Sequence, residues 1–281
     1  MYPFPIGVIL DSFRTDLRTA VEKAAALGAQ GLQIYATHGE MSPEELVGDK
    51  LTAFMAHVNA YGLRISALCG DLGRGFADPE QNPGLIERSK RILDLAKELG
   101  TDIVTTHIGV VPEDSDSERY KIMRAACREL AEYADSLDAH FAVETGPETA
   151  VRLKGFLDSL DSRGVAVNLD PANFVMVTGD DPVAAVYTLR DYIVHTHAKD
   201  GRRLREVDPE SVYTDVEAEI AEGAAFIELP LGQGDVDFSR YLSALDEIGY
   251  RGFLTIEREV GDDPEKDIAL AVRFLNAHTA R

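Results

Sequence analysis

Eight apolar runs, each followed by a helical pattern, predict an α/β chain folded as a closed (β/α)8 TIM barrel. Two further observations support that class. The runs are continuously apolar rather than alternating, as expected of parallel strands covered on both faces. After the first run stands Asp11-Ser12-Phe13-Arg14, with no GxGxxG fingerprint, which disfavours an open doubly wound sheet. The 281 residues carry no composition break, so the chain reads as one barrel domain over 1–281 with an irregular insertion at about 200–233.

The elements follow in order. Ile6 to Leu10 is the first strand, and Arg14 to Leu27 a helix with Leu17, Val21, Ala24 and Leu27 on one stripe, stopped by Gly28. Gly31 to Tyr35 is the second strand. Ser42-Pro43-Glu44-Glu45 has the N-cap serine, N1 proline and early acids of a helix start, and that helix runs to about Tyr61. Ile65 to Cys69 is the third strand, Gly70 to Pro83 a glycine-rich loop, and Leu85 to Leu99 a helix closed by Gly100. Asp102 to His107, Phe141 to Thr145, Val165 to Asp170 and Tyr192 to His197 are strands four to seven. The helices between them end near Leu137, Leu160 and Leu189. Asp200 to Gln233 is long and irregular, with a short helical pattern near Val216 to Ala221. Phe238 to Ile248 is a helix, Gly252 to Glu257 the eighth strand, and Pro264 to Ala277 the last helix.

The composition is that of a globular protein with a full core, 45% hydrophobic and 27% charged. A net charge of −21 repels phosphate backbones and argues against nucleic-acid binding. Cys69 and Cys127 form no CxxC pair, the start has no signal-peptide pattern, and no run approaches about 18 apolar residues. A cytoplasmic chain with no membrane partner is the expectation.

Barrel active sites are built from strand C-termini. Five consecutive strands here end in ionisable groups: His107, Glu144, Asp170, the pair His195 and His197, and Glu257. Taken singly, a strand-end histidine often only packs, and a strand-end acid often caps the next helix. Together around one rim they need a common partner, because a carboxylate abutting an apolar run is costly unless paired. A shared cation is the simplest such partner. Two glutamates, an aspartate and an imidazole suit a divalent ion of hard to borderline character, Mn²⁺ first and then Mg²⁺, Co²⁺ or Zn²⁺. Along the seventh strand His195 and His197 share a face, with Lys199 following if the strand continues; Lys199 is placed to grip a substrate oxygen or a carboxylate, or to pair with Asp200.

Phe141-Ala142-Val143-Glu144, Asn168-Leu169-Asp170-Pro171-Ala172-Asn173, His195-Thr196-His197-Ala198-Lys199-Asp200, Pro230 to Phe238 and Gly249 to Glu257 resemble the sugar phosphate isomerase/epimerase superfamily. These proteins have the xylose isomerase-like barrel, and endonuclease IV shares it. The ketose 3-epimerases of this group hold one divalent metal with a Glu, an Asp, a His and a second Glu. The resemblance carries these onto Glu144, Asp170, His197 and Glu257, and makes the two glutamates the acid/base pair. It places His107, Asn173, Arg203 and Lys199 near the substrate, Arg203 standing six residues after the ligand histidine. Many members have a histidine where Asn173 stands, and asparagine cannot shuttle protons. The ligand histidine being His197, His195 becomes a supporting or barrel-layer residue.

The resemblance therefore implies a metal-dependent isomerase or epimerase that moves a proton beside the carbonyl of a keto-sugar or keto-inositol through an enediolate. A lyase of the inosose dehydratase kind needs the same metal and base and is the alternative. An abasic-site nuclease ranks lower, given the net charge and the missing histidines. Members of the superfamily are often dimers or tetramers, which implies a homo-oligomer.

Overall fold

A computed structural model of the chain describes residues 2–213 and 224–279. Eight parallel strands close into a barrel in the order β1-β10-β7-β6-β5-β4-β3-β2. The strands are β1 (Ile6–Ile9), β2 (Gly31–Tyr35), β3 (Arg64–Cys69), β4 (Ile103–Thr106), β5 (His140–Glu144), β6 (Val165–Leu169), β7 (Ile193–Ala198) and β10 (Leu254–Ile256). Each predicted strand is present. Their outward faces pack under helices α1 (Leu17–Leu27), α2 (Asp49–Ala60), α3 (Asn82–Glu98), α4 (Glu118–Ser136), α5 (Ala150–Leu160), α7 (Pro182–Thr188), α9 (Phe238–Glu247) and α10 (Pro264–Asn276). Side chains such as Leu32, Val143, Val167, Leu153 and Leu245 form one continuous buried core between strands and helices.

Most helix starts follow the local chemistry. Asp16, Ser117, Thr149, Asp181, Asp237 and Asp263 each accept a backbone N–H in the first turn of the helix they precede. The second helix does not start where its sequence suggests. Ser42 spends its hydroxyl on the Gly39 carbonyl, closing a short 3₁₀ turn over Gly39–Met41. The chain then breaks at Gly48, whose φ of 55° lies in the left-handed region, and α2 begins only at Asp49.

The stretch after β7 is more ordered than the sequence predicts. β8 (Asp200–Arg203) pairs antiparallel with β9 (Phe226–Leu229), and α8 (Pro209–Tyr213) lies between them. The helical pattern near Val216 to Ala221 falls outside the described residues. Asp200 anchors the return of this excursion. Its Oδ1 accepts from the backbone of Gly201 and Val236, and its Oδ2 from Gly232 and Gly234, at 2.9–3.2 Å. A Cβ on Gly234 would stand 2.1 Å from Asp200 Oδ1, so only glycine lets that backbone approach.

A second unpredicted feature follows β6. Residues Pro171–Asn173 (α6) and Phe174–Thr178, a π-helical turn, continue directly from Asp170. π-Turns are uncommon and gather at functional sites. This one directly follows Asn173, whose side chain reaches Glu144 and the Thr145 carbonyl.

Candidate metal centre at the barrel mouth

Glu144 ends β5, Asp170 follows β6, His197 lies on β7 and Glu257 follows β10. Because these strands run parallel, all four side chains emerge at the same end of the barrel. One ligand atom from each lies within 4.8 Å of the others, and all four residues are buried. His197 Nδ1 sits 3.4 Å from Glu144 Oε1, 3.5 Å from Asp170 Oδ2 and 3.1 Å from Glu257 Oε2.

The inward-facing atoms are short of partners. His197 Nδ1, Asp170 Oδ2 and Glu257 Oε2 are buried and make no hydrogen bond. Such atoms cost free energy comparable to a lost hydrogen bond unless something fills the space between them. The outward-facing atoms, by contrast, are held. Asp170 Oδ1 accepts from the backbone of Ala172 and Asn173, so this residue caps α6 and also turns its other oxygen to the centre. Asn173 Nδ2 donates to Glu144 Oε1 and to the Thr145 carbonyl. Asn168 Nδ2 donates to Glu144 Oε2 at 3.2 Å.

The His197 ring is fixed by a residue that belongs to none of the strand-end motifs. Its Nε2 lies 3.0 Å from Gln33 Oε1, and Gln33 Nε2 donates to Thr105 Oγ1 at 2.9 Å. A carbonyl oxygen can only accept, so Nε2–H donates to Gln33 and Nδ1 is the ring nitrogen turned toward the carboxylates. Beneath it His195 bridges Asn168 Oδ1 and Thr255 Oγ1, both at 2.9 Å. Burial, and then the neighbouring His197, push the His195 pKa down to about 3. It is a neutral member of the barrel's interior layer, as the sequence suggests.

The electrostatics keep both glutamates ionised. Burial would raise Glu144, but His197 and His107 outweigh it and hold its pKa below the usual carboxylate range. Burial likewise opposes ionisation of Glu257, and Lys199 with His197 reverses the effect. A histidine, two glutamates and an aspartate whose inner atoms are buried and make no hydrogen bond fit a divalent cation of hard to borderline character.

The four remaining predicted residues divide. His107 Nε2 stands 3.7 Å from Glu144 Oε1, at the edge of the cluster. Asn173 is in it. Lys199 does not pair with Asp200. Its buried ammonium lies 3.1 Å from Glu257 Oε2, 2.5 Å from Glu259 Oε2 and 4.0 Å from Glu228 Oε2. Asp200 is already occupied by four backbone donors. Arg203 is on β8 with its Nη1 on the Thr178 carbonyl at 3.3 Å, packed against Gly179. Among the described residues it makes no hydrogen bond or ion pair with the four clustered side chains.

The profile of the xylose isomerase-like TIM barrel family matches residues 21–278, and the chain belongs to that family. Its fold is similar to a xylose isomerase domain protein from Planctomyces limnophilus, with a TM-score of 0.77 and 26% identity over 98% of this chain and 96% of that one. It is similar in fold to 3-keto-D-glucoside 4-epimerase from E. coli, with a TM-score of 0.72 and 16% identity over 98% and 99% of the two chains. In sequence it is 27% identical over 127 residues to inosose dehydratase of Lacticaseibacillus casei. That match spans 45% of this chain and 41% of the dehydratase, less than half the length of this curated relative. No helix among the described residues is long and apolar enough to cross a membrane.

Proposed function

We propose that this chain is a divalent-metal-dependent isomerase or epimerase that moves a proton on the carbon beside the carbonyl of a keto-sugar or keto-inositol. The observation that carries the reading is the convergence of His197 Nδ1, Asp170 Oδ2 and Glu257 Oε2, buried and without hydrogen-bond partners, beside Glu144. Glu144, Asp170, His197 and Glu257 are the residues that hold the ion. Bound there, a divalent cation polarises the substrate carbonyl and favours the negative charge that develops on its oxygen.

The protein's own groups do the proton work. β5 and β10 are separated in the barrel by β6 and β7, so Glu144 and Glu257 approach the pocket from two sides. Both are ionised, as a base must be. One removes the proton beside the carbonyl, giving an enediolate. For epimerisation the other first takes up a proton from solvent and delivers it to the opposite face, and the first then releases the proton it removed to solvent. Asn173 holds Glu144 Oε1 in place, and Lys199 does the same for Glu257. His107, 3.7 Å from Glu144, is positioned to hydrogen-bond a substrate hydroxyl. Burial of the whole cluster excludes bulk water from the reacting carbon.

Elimination is the second reading, and the similarity to inosose dehydratase favours it. It begins with the same proton removal. A hydroxyl on the next carbon then leaves as water, taking the proton that the first carboxylate removed, and a carbon–carbon double bond forms.

Metal analysis and NMR in D₂O test the proposal together. About one divalent ion per chain and chelator-sensitive exchange of the carbon-bound proton in a panel of ketoses and inososes are expected. Loss of water with an unsaturated product selects the lyase. An ion-free protein whose activity is indifferent to chelators refutes both.

A further inference from the structure

Glu257 stands one residue past the end of its sheet ladder. The last register pairs of β10 join Ile256 to Ala198 on β7 and to Val8 on β1. Beyond them the Glu257 N–H reaches the Ala198 carbonyl only at 3.4 Å. Side chains take over the next two backbone donors. Ser12 Oγ accepts from Arg258 N at 3.1 Å, and Glu228 Oε1 accepts from Glu259 N at 3.2 Å. The backbone that aims Glu257 at the ion is thus fixed from outside its own strand.

Glu228 comes from β9, in the excursion after β7, and it is buried. Its register partner is Gly201, the neighbour of Asp200, whose four backbone bonds pin both ends of the excursion. A Cβ on Gly201 would stand 2.4 Å from Met176 Sδ, so β8 lies tight against the π-turn. Glu228 is thereby held relative to β7, the strand that carries His197. Its Oε1 also accepts from Arg258 Nη1 at 2.5 Å, and Arg258 Nε donates to Asp267 Oδ2 at 2.8 Å. Its Oε2 lies 4.0 Å from the Lys199 ammonium, which stands 3.1 Å from Glu257 Oε2. A buried carboxylate is costly unless it is paired and hydrogen-bonded. Both conditions are met here by the two residues that directly follow Glu257.

We propose that Glu228 is a positioning residue for Glu257: by accepting from Glu259 N and Arg258 Nη1 it extends the hydrogen bonding past the end of β10 and holds the Glu257 carboxylate at the ion. The inference rests on the metal-binding part of the function proposed above and needs none of its carbonyl chemistry. Glu228 touches neither the ion nor the substrate. Its effect runs through the backbone of residues 258 and 259. Both bonds go to one oxygen, so the amide oxygen of a glutamine serves as well as the carboxylate, whereas an apolar side chain cannot serve. A role in charge balance alone makes a different demand, because glutamine then fails as badly as an apolar residue.

Co²⁺ is the probe, because its visible absorption reports the geometry of its ligands. The full chain, Glu228→Met and Glu228→Gln are titrated with Co²⁺ well below their thermal midpoints. Glu228→Met should bind the ion at least about tenfold more weakly, with altered band intensities. Glu228→Gln should match the wild type in both respects. A purely structural role lowers the thermal midpoint and leaves the spectrum of the bound ion alone. A wild-type spectrum and affinity in folded Glu228→Met overturn the proposal. So does an equal loss in the two variants, which assigns the effect to charge. Residue-resolved hydrogen exchange of the unmodified chain should show the Glu259 amide protected at least about tenfold. Free exchange there overturns the proposal even if Glu228→Met does not fold, and Glu228→Gln then supplies the spectral test. A wild-type chain that binds no Co²⁺ sinks the metal reading itself, whereas Co²⁺ binding indifferent to Glu228 sinks this inference alone.

Discussion

Gln33 Oε1 lies 3.0 Å from His197 Nε2, joining residues 164 positions apart in the chain, and this contact sets which nitrogen of His197 faces the carboxylates. The partner of a ligating imidazole fixes its tautomer and orientation, and its loss typically costs 10–100-fold in metal affinity. Gln33→Leu keeps the approximate volume and removes the acceptor. A chelator-competition titration should show Mn²⁺ affinity lower by about 10–100-fold with the fold intact by circular dichroism. Unchanged affinity would mean that the ring is held by the carboxylates alone.

Glu144→Gln and Glu257→Gln each retain a carbonyl oxygen for the ion but cannot take up a proton. Each variant should still bind metal, more weakly, and should lose at least about 10²-fold in exchange of the substrate's carbon-bound proton. The measurement is deuterium incorporation at saturating Mn²⁺. If both variants exchange at the wild-type rate with metal bound, the two-carboxylate mechanism is wrong.

Lys199 is a buried cation among Glu257, Glu259 and Glu228. Burial opposes its charge, and the glutamates more than restore it, so its pKa is raised well above the usual value. Lys199→Met leaves Glu257 and Glu228 buried with one cation fewer. Removing one member of a buried pair costs about 3–5 kcal/mol. At roughly 2–4 °C per kcal/mol for a domain of this size, the melting temperature of the metal-free protein should fall by about 10 °C. Saturating Mn²⁺ should narrow the difference, because the ion takes over part of the Glu257 charge. A melting temperature unmoved in the metal-free protein would show that Arg258 alone neutralises the group.

Glu148 is buried, and one of its oxygens accepts from Val111 N at 3.1 Å while the other has no partner. Burial pushes its pKa up to about 7. The folded state therefore holds a proton that the unfolded chain releases near pH 4.5. The stability this proton provides is fully present below about pH 4.5 and is lost as pH rises through about 7, a change on the order of 3 kcal/mol. Glu148→Gln has no such proton. The melting temperature of the wild type relative to this variant should decline from about pH 4.5 to 7 and then level off. A constant difference across that range would mean that the carboxyl is solvated.

Much of the barrel was legible because its strands are short apolar runs and its helices open on Asp, Ser or Thr caps, both local signals. The strand-end acids and His197 were legible for the same reason, since parallel strands deliver their last residues to one rim. The start of α2 misled because Ser42 caps in either of two ways, and only the fold around Gly39 sends its hydroxyl backward. The spacing of Arg203 from His197 carries meaning only if the intervening loop has the family's path. Here the β8–β9 pair directs Arg203 to Thr178.

The sequence by itself determined a (β/α)8 chain with carboxylates and an imidazole at consecutive strand ends, because hydrophobic runs, caps and strand order are written along the chain. Only the tertiary structure decided that Gln33 orients His197, that Lys199 serves Glu257 rather than Asp200, and that Glu228 reaches the backbone that follows Glu257. Those relationships join residues far apart in sequence. They depend on which strands become neighbours and on which polar atoms remain without partners once the barrel has closed.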